Sequence, residues 1–373
     1  MPRDRAPLAW GGVRRHKIPV STLTLIRSPA TIVAFSTRVS RARPAALAVW
    51  LFAVAGLIAL MVSVGGVTRL TESGLSIVAW KPLAGTLPPL NAAAWMREFA
   101  AYRASPQYAL ANAGMSLAAF KGIYWWEYAH RLLGRVIGMA FALPLTWFAV
   151  RRAIPRGYAP RLVLLLALGG LQGGVGWLMV ASGLTPGHTA VEPRMLAAHL
   201  LAALTLFAAI VWTALDMRAL AGAGSAVKER ARPTGWIVPM LALLAVQLVF
   251  GAFTAGLHAG HASDTWPLMA GALVPSLASF AGWWDDPFTV QFVHRTTAYA
   301  VAGAALYVAW ATWSAGAGWR ARAVALAVVA QFALGVLTVV WQVPIALAAM
   351  HQACAVALVA SLITLAHWSA RRA

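Results

Sequence analysis

The fold is decided by apolar stretches such as residues 45–66, whose sequence is AALAVWLFAVAGLIALMVSVGG. A helix needs about 20 mainly apolar residues to cross the hydrocarbon core of a bilayer, and this stretch has that length and carries no charge. Comparable stretches recur along the chain. They predict eight membrane-spanning helices, at residues 45–66, 132–150, 161–181, 194–215, 236–256, 292–313, 321–342 and 346–367.

The composition of the whole chain agrees with a membrane protein. Of the 373 residues, 61% are hydrophobic and 11% are charged, which is more apolar material than the core of a soluble domain can bury. The net charge of +20 would also suit a protein that binds nucleic acid. Its cations, however, flank the apolar stretches, where membrane topology already requires them. We therefore expect a lipid bilayer as the partner, and no nucleic acid.

Basic residues fall in alternate loops between the predicted helices, and cytoplasmic loops are the ones that collect Lys and Arg. The clusters are Arg38, Arg41 and Arg43; Arg151, Arg152, Arg156 and Arg161; Lys228, Arg230 and Arg232; Arg320 and Arg322; and Arg371 and Arg372. This pattern predicts that both termini are cytoplasmic, in the inner (cell) membrane of a bacterium. A mitochondrial inner membrane with both termini in the matrix is the alternative.

Residues 1–44 form a basic N-terminal tail in which Asp4 is the only acid. An Arg-rich, acid-poor composition is typical of a transit peptide. A disordered cytoplasmic tail explains it as well and is the interpretation that we favour. The predicted organisation is then this tail, a first four-helix bundle at 45–218, a cytoplasmic linker at 219–235 and a second four-helix bundle at 236–373.

The two halves of the chain resemble each other. The matching segments are Gly65-Gly66-Val67-Thr68 and Gly251-Ala252-Phe253-Thr254; Trp80-Lys81-Pro82-Leu83-Ala84-Gly85 and Trp266-Pro267-Leu268-Met269-Ala270-Gly271; Glu127-Tyr128-Ala129-His130-Arg131 and Gln291-Phe292-Val293-His294-Arg295; and Gln172 with Gly176 and Gln331 with Gly335. Since four helices per half is an even number, the second half enters the membrane in the same sense as the first. Parallel repeats predict an all-α membrane protein of two four-helix bundles, and disfavour the inverted repeats of many transporters.

Histidines occupy equivalent places in the two halves: His130 and His199 in the first, His294 and His351 in the second. All four lie near the starts of predicted helices that enter from the same outer side, so we expect them at similar depth. Neutral imidazole is the commonest ligand of haem iron, and two imidazoles from facing helices can clamp one porphyrin. A single histidine at such a position often has only a structural role, as a hydrogen-bonded polar residue at a helix end. Four at repeat-related positions in apolar helices, where polar groups are costly, predict one bis-histidine haem site per bundle.

Other metals and other histidines fit this pattern less well. Zinc would favour additional Cys, Asp or Glu ligands nearby, and the single cysteine, Cys354, lies within the eighth predicted helix, away from any such set. The remaining histidines lie near the termini or in predicted outer loops, and we expect them to be solvated; they are His16, His188, His258, His261 and His367.

Charged residues accompany two of the four histidines. Arg131 and Arg295 directly follow them and are candidate partners for haem propionates, with snorkelling to the membrane interface as the alternative. Glu127 shares a helix face with His130, three residues on, whereas its counterpart Gln291 is neutral. A carboxylate there could transfer protons or stabilise a cationic intermediate. It could equally orient a ligand or favour the helix N-terminus.

Three runs carry a family resemblance: Gly65-Gly66-Val67-Thr68-Arg69-Leu70-Thr71-Glu72-Ser73-Gly74-Leu75-Ser76, Glu127-Tyr128-Ala129-His130-Arg131 and Gln291-Phe292-Val293-His294-Arg295-Thr296-Thr297-Ala298-Tyr299. Together, and across residues 45–368, the chain resembles the haem A synthase family, in the form shared by alphaproteobacteria and mitochondria. The resemblance implies an oxidoreductase that converts the C8 methyl group of haem O to a formyl group by successive hydroxylation. The product would be haem A for cytochrome c oxidase.

The resemblance also implies roles for the two histidine pairs. It gives a resident haem b to His294 and His351, the substrate haem O to His130 and His199, and the oxidation to Glu127. A haem O synthase would supply the substrate, while an electron-transfer partner and a homo-oligomer are left open. Some members carry a cysteine pair in the first outer loop; this sequence lacks it, which puts any mechanism that relies on those thiols in doubt.

Two other functions remain open from the residues alone. A di-haem b-type electron carrier linked to quinones would use the same histidine pairs. Such a carrier commonly stacks its haems at two depths, however, and these histidines share one. A transporter or chaperone for haem would need no catalytic role for Glu127.

Overall fold

The computed structural model describes residues 41–81, 84–223, 235–277 and 282–371. Of the residues that the model describes, 76% are helical and none lies in a β-strand, which confirms the all-α prediction. Within these ranges the α-helices are α1 (Pro44–Leu70), α2 (Ala92–Arg103), α3 (Pro106–Leu110), α4 (Leu117–Val150), α5 (Ala159–Gly183), α6 (Pro193–Ala223), α7 (Ile237–Gly256), α8 (Pro287–Ser314), α9 (Trp319–Val340) and α10 (Ile345–Ser369).

Seven of these helices are long and apolar enough to cross a membrane: α1, α4, α5, α6, α7, α9 and α10. The protein is therefore a multi-pass membrane protein. α8 is also long, with 28 residues, but it carries polar side chains such as Gln291, His294 and Arg295 and is less apolar than the others. Each of the eight predicted stretches falls within one of these eight long helices, with at most two of its residues outside the helix.

α4 departs most from its predicted bounds. It begins at Leu117, not at 132, and Ser116 caps it by accepting a hydrogen bond from the backbone N–H of Ala119. Its 34 residues give a length of about 51 Å at 1.5 Å per residue. That is well beyond the roughly 30 Å of the hydrocarbon core, so α4 extends out of the membrane. Glu127 and His130 consequently lie in the middle of a helix and not at its opening.

An aromatic cap, formed by α2, α3 and the first turns of α4, covers this extension. Asn91 and Ser105 cap α2 and α3, and their side chains accept hydrogen bonds from backbone N–H groups in the first helical turn. Tyr108 of α3 packs against Phe99 and Tyr102 of α2. The buried cluster that joins α2 to α4 and to the loop before it consists of Ile77, Trp95, Phe99, Tyr102, Phe120, Tyr124 and Tyr128. The corresponding part of the second half has two short 3-10 helices instead, Ala259–His261 and Trp283–Asp285.

The two halves pack together through four central helices. α1 lies along α6 within the first half and against α10 of the second, while α6 contacts both α7 and α10. One hydrophobic core runs through these helices and includes Leu51, Ile210, Met240 and Leu362, each at most 2% exposed. The histidine-bearing helices α6 and α10 are therefore part of the contact between the halves.

A buried ionic network joins α5, α6 and α10. Asp216 accepts hydrogen bonds from Arg161 Nη1 at 2.8 Å and from His367 Nε2 at 2.9 Å. The ring of His367 also packs edge-on against Trp212. Because His367 is only 6% exposed, the prediction that it is solvated was wrong. Its place near the C-terminus of the sequence gave no information about its packing against α6.

Two predicted segments lie largely outside the described residues. The basic tail 1–44 is described from residue 41 onward, and α1 begins at Pro44. α6 continues to Ala223, so the first residues of the predicted linker 219–235 are helical. Residues 224–234 lie outside the described ranges.

Candidate functional site

Each of the four predicted histidines lies against a glycine of the neighbouring helix. The pairs are His130 on α4 with Gly65 on α1, His199 on α6 with Gly176 on α5, His294 on α8 with Gly251 on α7, and His351 on α10 with Gly335 on α9. A methyl group added at these glycines would lie 2.8, 2.8, 3.2 and 3.0 Å from the histidine Cε1, in the same order. Distances this short leave little or no room for a Cβ atom. The glycines that repeat in the sequence therefore let each imidazole approach the backbone of its neighbour.

Glutamine amides lie beside three of the four imidazoles. Gln172 Nε2 is 3.0 Å from His199 Nδ1, Gln247 Nε2 is 3.1 Å from His294 Nδ1, and Gln331 Nε2 is 3.2 Å from His351 Nε2. Each glutamine precedes the glycine on its own helix by four residues, so the two lie on the same helix face. The glycine makes room for the ring and the glutamine holds it. Such polar partners commonly fix the orientation and tautomer of metal-binding histidines.

Gln247 is a residue that the sequence comparison of the halves missed. Its amide oxygen accepts a hydrogen bond from Thr297 Oγ1, and its Nε2 donates to the backbone oxygen of His294 at 3.1 Å. The Gln-x-x-x-Gly spacing, already present in α5 and α9, is the signal that could have found it. In α1 the equivalent position, four residues before Gly65, is Met61.

The histidines are brought together in pairs, one pair in each half. His130 lies within electrostatic range of His199, and His294 within electrostatic range of His351. The Nδ1 atoms of His130 and His351 are buried and have no hydrogen-bond partner among the described residues. Buried polar atoms without partners are costly, which favours a bound group that engages these rings. Two neutral imidazoles in an apolar bundle are a donor set that suits haem iron, so the residues present fit a haem at each pair.

The carboxylate of Glu127 is 3% exposed and accepts four hydrogen bonds. Ser76 Oγ and the backbone N–H of Ile77 donate to Oε2, both at 2.7 Å. Arg131 donates to Oε1 from Nε at 3.0 Å and from Nη2 at 2.7 Å. Glu127 therefore fastens the first predicted outer loop to α4, one turn before His130, and its negative charge is stabilised by charge-assisted hydrogen bonds.

Gln291 makes a neutral version of the same connection in the second half. It is 1% exposed, and its Nε2 donates to the backbone oxygens of Gly260 at 3.2 Å and Ser263 at 2.8 Å. Both halves thus tie a loop to the helix that carries the first histidine of the pair. They differ in the charge that this connection places beside the histidine.

The two arginines expected to bind propionates differ in the donors that remain to them. All three nitrogens of Arg131 are engaged, with Glu127 and with two loop carbonyl groups. Arg295 Nη2 donates to the backbone oxygen of Thr265 at 2.6 Å. Its Nη1 is buried and has no hydrogen-bond partner in the part of the chain that the structure describes. The second half therefore offers a guanidinium nitrogen that a bound anion could use.

One side chain crosses between the halves next to a histidine. Gln352 on α10, which follows His351, donates from Nε2 to the backbone oxygen of Val62 on α1 at 2.8 Å. Its amide occupies the space beside Gly66, where any Cβ atom would collide with it. The backbone of α1 thus lies between the two pairs, with Gly65 against His130 on one side and the amide of Gln352 on the other.

The remaining candidate ligands do not form a second site. Among the described residues, no group of three or more His, Cys, Asp or Glu side chains is placed to hold a metal ion. Cys354 is free, and its Sγ donates to a backbone oxygen of α9. His188 and His258 are exposed in loops and His261 is exposed at the end of a 3-10 helix, so all three are solvated, as expected. His16 lies outside the described residues.

Comparison with known proteins identifies a family. Residues 48–363 match the model of the family described as cytochrome oxidase assembly protein (COX15-CtaA). The chain is 50% identical over 335 residues to the heme A synthase of Sphingopyxis alaskensis, covering 88% of this chain and 94% of that protein. It is 49% identical over 332 residues to the heme A synthase of Rhizorhabdus wittichii, covering 87% and 94%. It is 51% identical over 328 residues to a heme A synthase of Rhodopseudomonas palustris, covering 84% and 89%.

Proposed function

Because this chain belongs to the family of cytochrome oxidase assembly proteins, we propose that it carries out the reaction named in its relatives, the synthesis of haem A. It is then a membrane oxidoreductase whose substrate is haem O. The C8 methyl group of haem O is oxidised to a formyl group by successive hydroxylation and loss of water. The observation that carries the proposal is the repeated contact of histidine with glycine, which gives each half a pair of imidazoles.

We assign the resident haem b to His294 and His351, and the substrate haem O to His130 and His199. Gln247 lies beside Nδ1 of His294, where a polar partner can orient an imidazole that binds metal through its other nitrogen, which suits a permanent ligand. The unengaged Nη1 of Arg295 suits a propionate of the same haem. Haem b, once bound, supplies one-electron redox chemistry that amino-acid side chains do not provide.

Glu127 serves the oxidation in this proposal. Its four hydrogen bonds, two to each oxygen, hold the carboxylate in place and leave neither oxygen free to receive a proton from the substrate. Of the two catalytic roles considered for it, stabilisation of positive charge that develops on the substrate is therefore better supported. A fixed charge is effective in this role because no rearrangement is needed during the reaction.

Arg131 has two roles in the proposal. It holds Glu127 in place through the hydrogen bonds from Nε and Nη2. A guanidinium has five N–H donors, and the four hydrogen bonds of Arg131 leave one of them, on Nη1, for a propionate of haem O. Replacing Arg131 would therefore disturb both the carboxylate and the substrate.

The topology that we propose has eight crossings, α8 included, in two parallel four-helix bundles. The first is residues 45–218 with α1, α4, α5 and α6; the second is residues 236–373 with α7 to α10. α8 packs against α7 and α9, so its polar residues have protein neighbours, which lowers the cost of placing them in a membrane. The linker 219–235 and the tail 1–44 are cytoplasmic in this arrangement.

The location that we propose is the inner membrane of a bacterium, with both termini cytoplasmic. The basic loops all fall on one side of the eight proposed crossings. The relatives described above are all bacterial, which favours this membrane over that of a mitochondrion. Haem O carries a long apolar tail, so a haem O synthase in the same membrane is the natural supplier. A separate electron-transfer partner completes the reaction.

The test is the identity of the pigments in membranes that contain the protein. The host should make haem O and lack its own haem A-forming enzyme. Extracted haems are separated and identified by mass, and we expect haem A with the wild-type chain. Membranes that contain haem O and haem b but no haem A would refute the proposed function, and would favour an electron carrier or a haem transporter.

The same assay tests Glu127. Glu127→Gln removes the charge and should lower haem A formation by about 100-fold or more, the usual effect of losing one preorganised electrostatic group. The spectrum of the resident haem b should remain. Glu98→Gln is the matched control, because Glu98 lies in the aromatic cap and pairs with Lys81 at the surface. Full activity of Glu127→Gln would refute the role of Glu127 while leaving both haem sites intact.

A further inference from the structure

The two halves differ in how closely their second and third long helices pack. In the second half α8 lies along α9, and Tyr299 of α8 packs on Phe332 of α9 with ring centroids 5.2 Å apart. In the first half the contact between the corresponding helices, α4 and α5, is less extensive. The same side of the bundle is therefore closed by aromatic side chains in the second half and looser in the first.

Side chains that fill this contact in α9 are replaced by glycines in α5. Counted from the glycine that contacts the histidine in each half, Phe332 corresponds to Gly173 and Val328 to Gly169. Val328 is 2% exposed and belongs to the hydrophobic core, whereas both glycines are exposed. A methyl group added at Gly173 would meet nothing within 4 Å. α5 thus leaves space where α9 is filled.

α4 leaves space on the same side. Arg135 stands where α8 has its tyrosine, and its Nη2 donates to the backbone oxygen of Lys81 at 2.9 Å, so its guanidinium reaches the outer loop. Gly138 follows three residues later on the same helix face, and a methyl group there would meet nothing within 4 Å. We call the space bordered by Gly138, Gly169 and Gly173 the α4–α5 opening.

The α4–α5 opening adjoins the first histidine pair. Gln172, the neighbour of Gly173, places its Nε2 3.0 Å from His199 Nδ1, and its Oε1 is buried without a hydrogen-bond partner among the described residues. The Nδ1 of His130, about two turns before Gly138, is likewise buried and unpartnered in that part of the chain. Buried polar atoms of this kind favour a bound group at the pair. The opening would connect such a group with the lipid.

The chemistry of haem O suits this connection. Haem O differs from haem b in its long apolar tail, which lies on the edge of the porphyrin opposite the propionates. Arg131, the proposed propionate partner, reaches backbone oxygens of the outer loop, so the opposite edge points toward the cytoplasmic side in the proposed topology. Gly138 and Gly173 lie on that side of the histidines, since α4 runs inward and α5 outward. An apolar chain placed there stays out of water.

We propose that the α4–α5 opening receives the apolar tail of haem O, and that Tyr299 and Phe332 exclude such a tail from the second site. The inference rests on the proposed function, because it takes the first histidine pair to be the site of haem O. Gly173 and Phe332 are then specificity-determining residues at equivalent positions. The first site accepts the haem that carries a tail, and the second accepts the haem that lacks one.

Titration of the full-length protein in lipid nanodiscs with haem O and, separately, with haem b tests the first part. Gly173→Phe fills the opening as Phe332 fills the second half. It should weaken binding of haem O at the first site by about tenfold or more, which corresponds to roughly two CH₂ groups of the tail that are no longer buried. Binding of haem b at that site should not change. The absorption spectrum of the resident haem shows that the variant is folded.

Gly174→Phe is the matched control. A methyl group at Gly174 also meets nothing within 4 Å, but this residue lies about 100° further around α5, away from Gln172. The variant should bind both haems as the wild type does. Equal losses of haem O and haem b in Gly173→Phe, or no loss of either, would overturn the inference and leave the proposed function intact. A wild-type first site that takes up neither haem would refute the proposed haem O site itself.

The second part is tested by the reverse change. Protein that carries His130→Ala, so that only the second site is loaded, is produced in cells that make haem O. Adding Phe332→Gly should let the second site hold haem O, identified by mass after extraction. Phe332→Tyr keeps an aromatic ring and should hold haem b alone. If the second site of Phe332→Gly also held haem b alone, exclusion of the tail by Tyr299 and Phe332 would be wrong.

Discussion

The two halves of this protein share a scaffold and differ in the polar groups that surround it. In both, a histidine packs on a glycine of the next helix, twice per half. In the second half both imidazoles have glutamine partners and the loop is fastened by the neutral Gln291. In the first half His130 lacks such a partner, and the loop is fastened by the buried anion of Glu127. If the proposed assignment of the two haems holds, the comparison teaches that the glycine contacts set where a ligand binds, while the polar neighbours differ between the site that retains a haem and the site that reacts.

The largest expected effect tests whether the two histidine pairs have different roles. His294→Ala should remove the resident haem b from the purified protein. The loss should exceed the roughly 10–100-fold in affinity that loss of an outer partner costs, because an axial ligand itself is missing. His130→Ala is the matched variant and should leave the resident spectrum intact. The measurement is the absorption spectrum of oxidised and reduced protein, and a resident haem lost equally in both variants would contradict the assignment of the two sites.

A smaller effect is expected from the glycines. In Gly65→Ala the new methyl group would lie 2.8 Å from His130 Cε1 and must displace the ring, whereas in Gly251→Ala the distance to His294 is 3.2 Å and a small shift suffices. Gly65→Ala should therefore strongly reduce the uptake of added haem by the first site. Gly251→Ala should reduce the retention of the resident haem by a smaller factor. Titration with haem b measures both.

Gly56→Ala is the control for the glycine variants. Gly56 also lies on α1, but a methyl group there meets nothing within 4 Å. The substitution should leave haem binding unchanged and should stabilise the helix by roughly 0.5–1 kcal/mol, since Ala is the better helix former. If Gly56→Ala lost haem to the same extent as Gly65→Ala, the steric explanation would be wrong.

The smallest effect concerns how the two helices that carry His130 and His294 begin. Asp286 caps α8 eight residues before His294, and hydrogen bonds from the Thr289 side chain and backbone N–H lower the pKa of Asp286. A lowered carboxyl pKa stabilises the fold above the ordinary value of about 3.9, and this stabilisation is lost as the pH falls through the lowered pKa. Asp286→Ala should cost about 1 kcal/mol near neutral pH and weaken retention of the resident haem on heating.

Ser116→Ala is the counterpart in the first half. Ser116 caps α4 fourteen residues before His130, so fraying of that end should leave the first histidine pair undisturbed. The two variants are compared by thermal release of haem at neutral pH and near pH 3, where the difference between wild type and Asp286→Ala should shrink. A difference that grew on acidification would contradict the sign of the pKa shift.

The long helices could be predicted from sequence because lipid imposes a simple rule of length and apolarity. The beginning of α4 and the aromatic cap could not. Residues 92–110 and 117–131 mix charged and aromatic side chains, and no apolar run marks them as helical. They are held by tertiary contacts, such as the stacking of Tyr102 on Phe120, which bring together residues that are distant in sequence.

The site was predictable as far as the repeat could be read. The histidines, their glycines and two of the three glutamines matched between the halves, and the structure places them in contact. Gln247 was missed because its counterpart is Met61, so a search for matching residues passes over it. The burial of His367 depends on its contact with Asp216 of a different helix, and no pattern in the sequence predicts that contact.

The hydrogen bond between Asp216 and His367 also limits how a large ligand can reach the protein's interior. It lies about 24 Å from His351, counted as sixteen residues of α10 at 1.5 Å each, and Gln352 fastens the same seam near the histidines. The contact between the halves is thus fastened at two levels. Separating the halves there would leave the buried Asp216 carboxylate without one of its partners, which costs free energy. We therefore expect a porphyrin with a long apolar tail to enter between neighbouring helices of one half, by a route that opens laterally into the lipid.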